Sequence, residues 1–305
     1  MKKIALALAS VLAVVAAFEC VPADTRPVPG SLTMTVSPSP AVTNGVITAD
    51  GWTIAFDRVL VAIGNEGLSD PCAVYGEANY DRILDITHDG GQHLGIVHGL
   101  GQCDVDFRVT APSSDALLGE GVTEEDKTRL RTPGGDYYIP LGGISTEIAF
   151  TATRGDVKKR FYFPFRARIR YQRCALDQDS GIPSVDLRSH VDLTYNVRIE
   201  AEAVLRDDLD AGAALRFDPF AVADKDNDGL ITVEELRGIP IEQVRDSGAF
   251  EAGTYEVDDA GLVQRGRPIV IATLGDYVYE ILAPTLARFR DTGTCTASVR
   301  NRPAN

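Results

Sequence analysis

Alternation with a period of two dominates the middle of this chain. Phe161, Phe163, Phe165, Ala167, Ile169 and Tyr171 share one face of an extended segment, with Arg166, Arg168 and Arg170 opposite. Farther on, Val191, Leu193, Tyr195, Val197, Ile199, Ala201, Ala203 and Leu205 share a face, against Asp192, Thr194, Asn196, Arg198, Glu200 and Glu202. Successive side chains of a strand point to opposite faces, so these runs predict long strands with one buried and one wet face. The arginine row is read as the cross-strand partner of carboxylates such as Glu200 and Glu202, in preference to a polyanion-binding stripe. Pro164 fits an edge strand or a bulge.

Shorter strands are predicted before these. Val46 to Ala49 leads through Asp50-Gly51, a hairpin turn signal, into Trp52 to Ile63. Trp52, Ile54 and Phe56 share a face, Leu60 and Ala62 continue the period, and Arg58 interrupts it, which suggests a bulge. Tyr80 to Thr87, His93 to Val97 and Gln102 to Thr110 read as further strands, the last two as a pair. Thr123 caps a predicted short helix whose first turn holds Glu124, Glu125 and Asp126. Arg154-Gly155-Asp156 spells a cell-adhesion tripeptide but sits between strand signals, so it reads as a hairpin turn. After Asp207 the pattern turns to short helical pieces, and Leu274 to Arg288 reads as a helix that Pro284 kinks or splits. The expected fold is mainly β: an antiparallel β-sandwich-like domain over 41–206, then a small α-rich region over 207–305.

The start of the chain changes the setting. Met1-Lys2-Lys3 precedes an apolar run from Ile4 to Phe18, too short to span a membrane comfortably and suited to a signal-peptide core. Residues 1–19 are therefore expected to be a signal peptide, and the Pro-rich 20–40 a linker or tether. The expected location is outside the cytoplasm: periplasm, outer membrane or secreted. Cys20 is a candidate lipidation site, although Glu19 departs from the small residue a lipoprotein cleavage box places before its cysteine. Cys72, Cys103, Cys174 and Cys295 remain as an even set. Four cysteines admit three pairings; the expected one joins Cys72 to Cys103 and Cys174 to Cys295, stapling neighbouring strands and tying the C-terminus to the body. A formal charge of −14, from 44 acidic and 30 basic residues, argues against nucleic acid and anionic membrane surfaces as partners. Membrane association is expected only through a lipid anchor.

Residues 224–235, DKDNDGLITVEE, carry the densest chemistry. Asp224, Asp226 and Asp228 stand at loop positions 1, 3 and 5, and Gly229 at position 6, where the chain must turn sharply. Leu230 offers a backbone carbonyl at position 7, Thr232 stands at position 9, and Glu235 closes the loop at position 12. This segment resembles an EF-hand calcium loop, and the resemblance implies a bound calcium ion as cofactor. Its flanks, Asp218 to Ala223 and Thr232 to Arg237, are short, the second halted by Gly238 and Pro240. Such short helices do not open a broad apolar groove as calcium sensors do. No second loop completes a pair: the run starting at Asp177 has Arg188 at position 12, and Asp258-Asp259-Ala260-Gly261 lacks the spacing. A lone loop with short flanks points to a structural staple.

Candidates for other chemistry are thin. His88, His93 and His98 recur every five residues, a spacing that sends strand neighbours to opposite faces, and His190 stands apart. HExxH, CxxC, GxSxG and GxxxxGK are absent from the sequence. The stretches GWTIAFDRVLVAIG (51–64), RTPGGDYY (131–138) and LRFDPFAVADKDNDGLITVEEL (215–236) are similar to a group of exported, β-rich bacterial envelope lipoproteins. That resemblance implies location and architecture, not an activity. The expected function is a non-catalytic structural or binding protein of the cell envelope, with an envelope protein or polysaccharide as partner. A secreted hydrolase with structural calcium and a periplasmic metal-handling protein are the alternatives.

Overall fold

The structure, a computed structural model, describes residues 26–69, 71–78, 80–88, 90–134, 142–176, 183–209, 212–246 and 271–300. The expected signal peptide, Cys20 and the loop candidates at 177–181 and 258–261 lie outside the described residues. The early strands are β1 (Gly30–Pro38), β2 (Val46–Ile47), β3 (Thr53–Ser69), β4 (Ala73–Ala78) and β5 (Arg82–Asp85). The middle ones are β6 (Gln92–Val109), β7 (Leu117–Leu118), β8 (Thr146–Arg154), β9 (Val157–Phe165) and β10 (Arg168–Ala175). The last are β11 (Val185–Leu187), β12 (Asp192–Ile199), β13 (Leu230–Ile231), β14 (Ala287–Phe289) and β15 (Thr294–Arg300). The fold is mainly β, as expected. Hydrogen bonds join the strands into one network with a main path β13-β9-β8-β3-β6-β1-β12-β14. The network is mixed rather than antiparallel throughout: β1 runs parallel to β12, and β13 parallel to β9.

The first correction concerns 20–40. Its second half is not a linker, because Gly30–Pro38 is a strand paired with β6 on one side and β12 on the other. Leu32, Met34 and Val36 alternate inward and are buried, while Pro38 and Pro40 mark the strand end and the start of a short helix. Proline there punctuates an element instead of abolishing it. The second concerns 93–110, expected as two strands. It is one strand of 18 residues, and one of its glycines, Gly99, marks a close approach. A Cβ at Gly99 would lie 2.6 Å from Leu68 Cδ1 and 3.1 Å from the Ala73 carbonyl.

The third concerns the long alternating runs. Phe161, Phe163, Phe165, Ala167, Ile169 and Tyr171 are all buried, although the run breaks into β9 and β10 at Arg166. The second run leaves the sheet after Ile199 and closes as a 3₁₀ turn over Ala201–Leu205. The predicted helix at 274–288 is helical over 274–285, changing from α through π to 3₁₀ where Pro284 falls, and 287–289 is strand β14.

The bulge expected near Arg58 is present as a register shift between Phe56 and Arg58. It reverses the faces of β3, so Val59, Val61 and Ile63 join the main core after Ile54. Leu60 and Ala62 do not continue that face; they enter a second cluster with Ile83, Leu130 and Ile144. Leu130 belongs to the helix Glu124–Arg131, which Thr123 and Asp126 cap reciprocally. Gly155-Asp156 forms the β8–β9 hairpin turn, with Gly155 at φ 59°. Both expected disulfides form: Cys72–Cys103 joins the start of β4 to β6, and Cys174–Cys295 joins β10 to β15 across 121 residues.

Candidate metal centre

The loop at 224–235 hangs on the β9 edge of the sheet. Phe217 and Phe220, just before it, are fully buried and meet Phe150 and Phe161 at ring separations of 5.8 Å. Asp50 Oδ2, in the β2–β3 turn, accepts from the amides of Phe217 at 2.7 Å and Asp218 at 2.6 Å. Trp52 Nε1 donates to Asp218 Oδ1 at 2.9 Å, and Arg154 binds the same oxygen at 2.8 Å. Burial acts to raise the Asp218 carboxyl, and these two donors outweigh it, holding it below the ordinary aspartate value. Within the loop, Asn227 and Gly229 take left-handed backbone, with φ 60° and 80°. Leu230 and Ile231 then pair with Arg160 and Phe161 of β9, and the Arg160 amide donates to the Gly229 carbonyl at 2.7 Å.

This path brings three of the predicted ligands together. Single carboxylate oxygens of Asp224, Asp226 and Glu235 lie within 4.8 Å of one another. The two oxygens of Asp224 differ. Oδ2 accepts from the Gly229 amide at 3.1 Å and from the Lys159 ammonium. Oδ1 is buried and has no hydrogen-bond partner. Burial acts to raise this carboxyl, but Lys159 and the Gly229 amide outweigh it and hold it below the usual aspartate value. Asp224 is therefore ionised at neutral pH, with one oxygen tied to protein and the other buried without a partner. A buried anionic oxygen without a donor is costly, and a cation among the three carboxylates removes the cost. The donors are hard oxygens, the set that suits calcium or magnesium and not the thiophilic metals.

The remaining predicted ligands are placed differently. Asp228 is exposed, accepts from the Leu230 amide at 2.6 Å and stands outside the three-carboxylate group. Thr232 caps the turn Val233–Leu236, accepting from the Glu235 amide, while Glu235 Oε2 accepts from the Thr232 amide at 2.8 Å. Leu230 lies in β13. Both flanks are single helical turns, Asp218–Ala221 and Val233–Leu236. Val233, Leu236, Ile239 and Ile241 behind the loop are buried in the main core, so their apolar faces are already covered. Sequence reasoning missed Lys159 and Asp50. A signal for Lys159 exists: it shares the parity of Phe161, Phe163 and Phe165, and a charge at an inward strand position requires a partner.

Elsewhere, a cleft of about 710 Å³ lies between the helix Glu124–Arg131 and β9, lined in part by Glu125, Thr128, Arg129, Tyr162 and Arg166. Glu147 beside it is buried and accepts from Tyr162 Oη at 3.0 Å and from Arg129. Burial and the Glu147 charge both raise the Tyr162 hydroxyl above its ordinary value. Glu147 Oε2 thus takes both contacts. His93 and His98 are exposed on β6, His88 lies 3.9 Å from Asp85, and His190 contacts Ser189. Among the described residues, the carboxylate group at the loop contains no histidine. No protein-family model matches the chain, and neither a curated protein nor a solved structure matches it.

Proposed function

We propose that this chain is an exported, calcium-binding, non-catalytic structural or binding protein of the bacterial cell envelope, in which an EF-hand-like loop uses calcium as a staple. The observation that carries the proposal is the unpaired, buried Oδ1 of Asp224 beside Asp226 and Glu235. The ion would be held by Asp224, Asp226 and Glu235, with Asp228, the Leu230 carbonyl and Thr232 as the remaining candidates by loop position. A staple rather than a switch is favoured because the turns on both sides of the loop are short and buried in the main core. Two disulfides favour an oxidising, extracytoplasmic compartment. A lipid anchor at Cys20 is the proposed means of any membrane attachment. The sandwich-like layering belongs to the same proposal, supported by buried residues on both faces of β3.

Isothermal calorimetry on the mature protein tests this. One calcium ion is expected, at a dissociation constant of roughly 0.1–1 mM, typical of extracellular modules. Glu235→Gln removes the closing charge and is expected to weaken binding about tenfold or more. Failure of the unmodified protein to bind calcium would overturn the proposal.

A further inference from the structure

We propose that Lys159 sets the calcium affinity of the loop from outside it, acting as a fixed counter-charge on the far oxygen of Asp224. The inference rests on the calcium reading above and deepens it. The Asp224 side chain is fully buried and that of Lys159 is 16% exposed, so their ion pair is largely screened from water. Lys159 belongs to β9, where it pairs with Ala152 of β8, so the sheet and not the loop fixes its position. The neighbouring Arg160 amide holds the Gly229 carbonyl at 2.7 Å, which locks loop and strand in one register.

The ammonium has two opposing effects. Without calcium it offsets the repulsion among Asp224, Asp226, Asp228 and Glu235 and keeps the loop docked on the sheet edge. With calcium at Oδ1, it stands one carboxylate away from a divalent cation and repels it. The site is therefore pre-formed but weak, suited to an environment where calcium is abundant. Lys159 does not touch the ion; it is a positioning and charge-tuning residue.

Calorimetric calcium titration of four proteins tests this: the unmodified chain, Lys159→Gln, Lys159→Arg and Lys158→Gln. Lys159→Gln is expected to bind calcium about tenfold more tightly, and to melt lower than the unmodified chain in chelator. Lys159→Arg keeps the charge and is expected to stay within about threefold. Lys158→Gln removes an exposed charge of the same strand and is expected to stay within about twofold. Unchanged or weaker binding by Lys159→Gln, beside an unmodified chain that binds, overturns the role of Lys159 alone. Absence of binding by the unmodified chain overturns the calcium reading itself. Should Lys159→Gln be unfolded in chelator, its folding on calcium addition at a lower concentration than the unmodified chain needs for saturation supports the proposal, and folding only at a higher one overturns it.

Discussion

Glu200 sits where three arginines converge: Arg198 at 2.7 Å, Arg206 at 2.5 Å and Arg288 at 3.3 Å. Burial acts to raise its carboxyl, and the hydrogen bonds and charges of the arginines outweigh that, holding it below the ordinary glutamate value. A depressed carboxylate contributes stability that is present above its unfolded value, roughly pH 4.3, and lost as pH falls through the lower folded value. Glu202 works in the opposite direction. Burial raises it, the Ser39 hydroxyl at 2.7 Å only partly offsets that, and it subtracts stability as pH rises through its raised value. Urea unfolding across acid pH is expected to show the Glu200 loss below the ordinary carboxylate range, with that limb flattened in Glu200→Gln. At neutral pH the same substitution is expected to cost about 3 kcal/mol, because Arg206 and Arg288 are buried and each already has one nitrogen without a partner. The sequence reading assigned Glu200 to the Arg166–Arg170 row, yet Arg170 pairs instead with Asp106 at 2.9 Å. Alternation tells which face a charge occupies; it does not tell which distant strand lies beside it.

Elements were legible where the signal is local and chemical. Thr123 with Asp126 three residues on is a cap that depends on a few neighbouring atoms, and it forms as read. Thr123→Ala is expected to lower stability by about 1 kcal/mol in thermal unfolding. The loss should be felt beyond the helix, because Asp126 also binds Arg58 at 2.8 Å on the β3 bulge. The Gly155-Asp156 turn was legible for the same reason. The 18-residue β6 was not, because glycine has two meanings that one sequence does not separate. Gly99 is small because Leu68 and the Ala73 carbonyl crowd it, so Gly99→Val is expected to cost about 1–3 kcal/mol rather than rigidify a turn. The alternation running on to Leu205 misled in another way. Ala201, Ala203, Val204 and Leu205 are all buried, and a 3₁₀ turn packed into the core with only Glu202 partly exposed keeps apolar residues at odd positions as a strand would. The acidic loop was legible in part: Asp224, Asp226 and Glu235 meet, because each of these positions has its own chemical demand. Its support by Asp50, in the β2–β3 turn, and by Lys159, on β9, was not, since both lie more than sixty residues away in the chain.

The boundary drawn at 206/207 follows a real change in local pattern but does not divide the core. Phe217, Phe220, Ile231, Leu236, Leu274, Tyr279 and Phe289 share one hydrophobic cluster with Ile54, Phe150 and Phe163. Local periodicity reports what each element is, and cannot report that two regions bury the same surface. Beyond that core and the pairing of β14 with β12 and β15 with β10, two further ties hold the last third of the chain to the sheet: the loop at the β9 edge and the Cys174–Cys295 bridge between β10 and β15. They act through different physics. The bridge restricts the unfolded chain, and closing a loop of 121 residues corresponds to about 3–5 kcal/mol. The proposed calcium would bind the folded state, and at about ten times its dissociation constant would contribute about 1.4 kcal/mol. With a shared core, both are expected to shift one cooperative transition. Replacing Cys174 and Cys295 by serine should lower its midpoint strongly, while the calcium-induced gain measured against chelator stays the same as in the unmodified protein. The alternative is a last third that melts by itself once the bridge is gone. Calcium would then shift only an early, partial transition, and the two ties would no longer add.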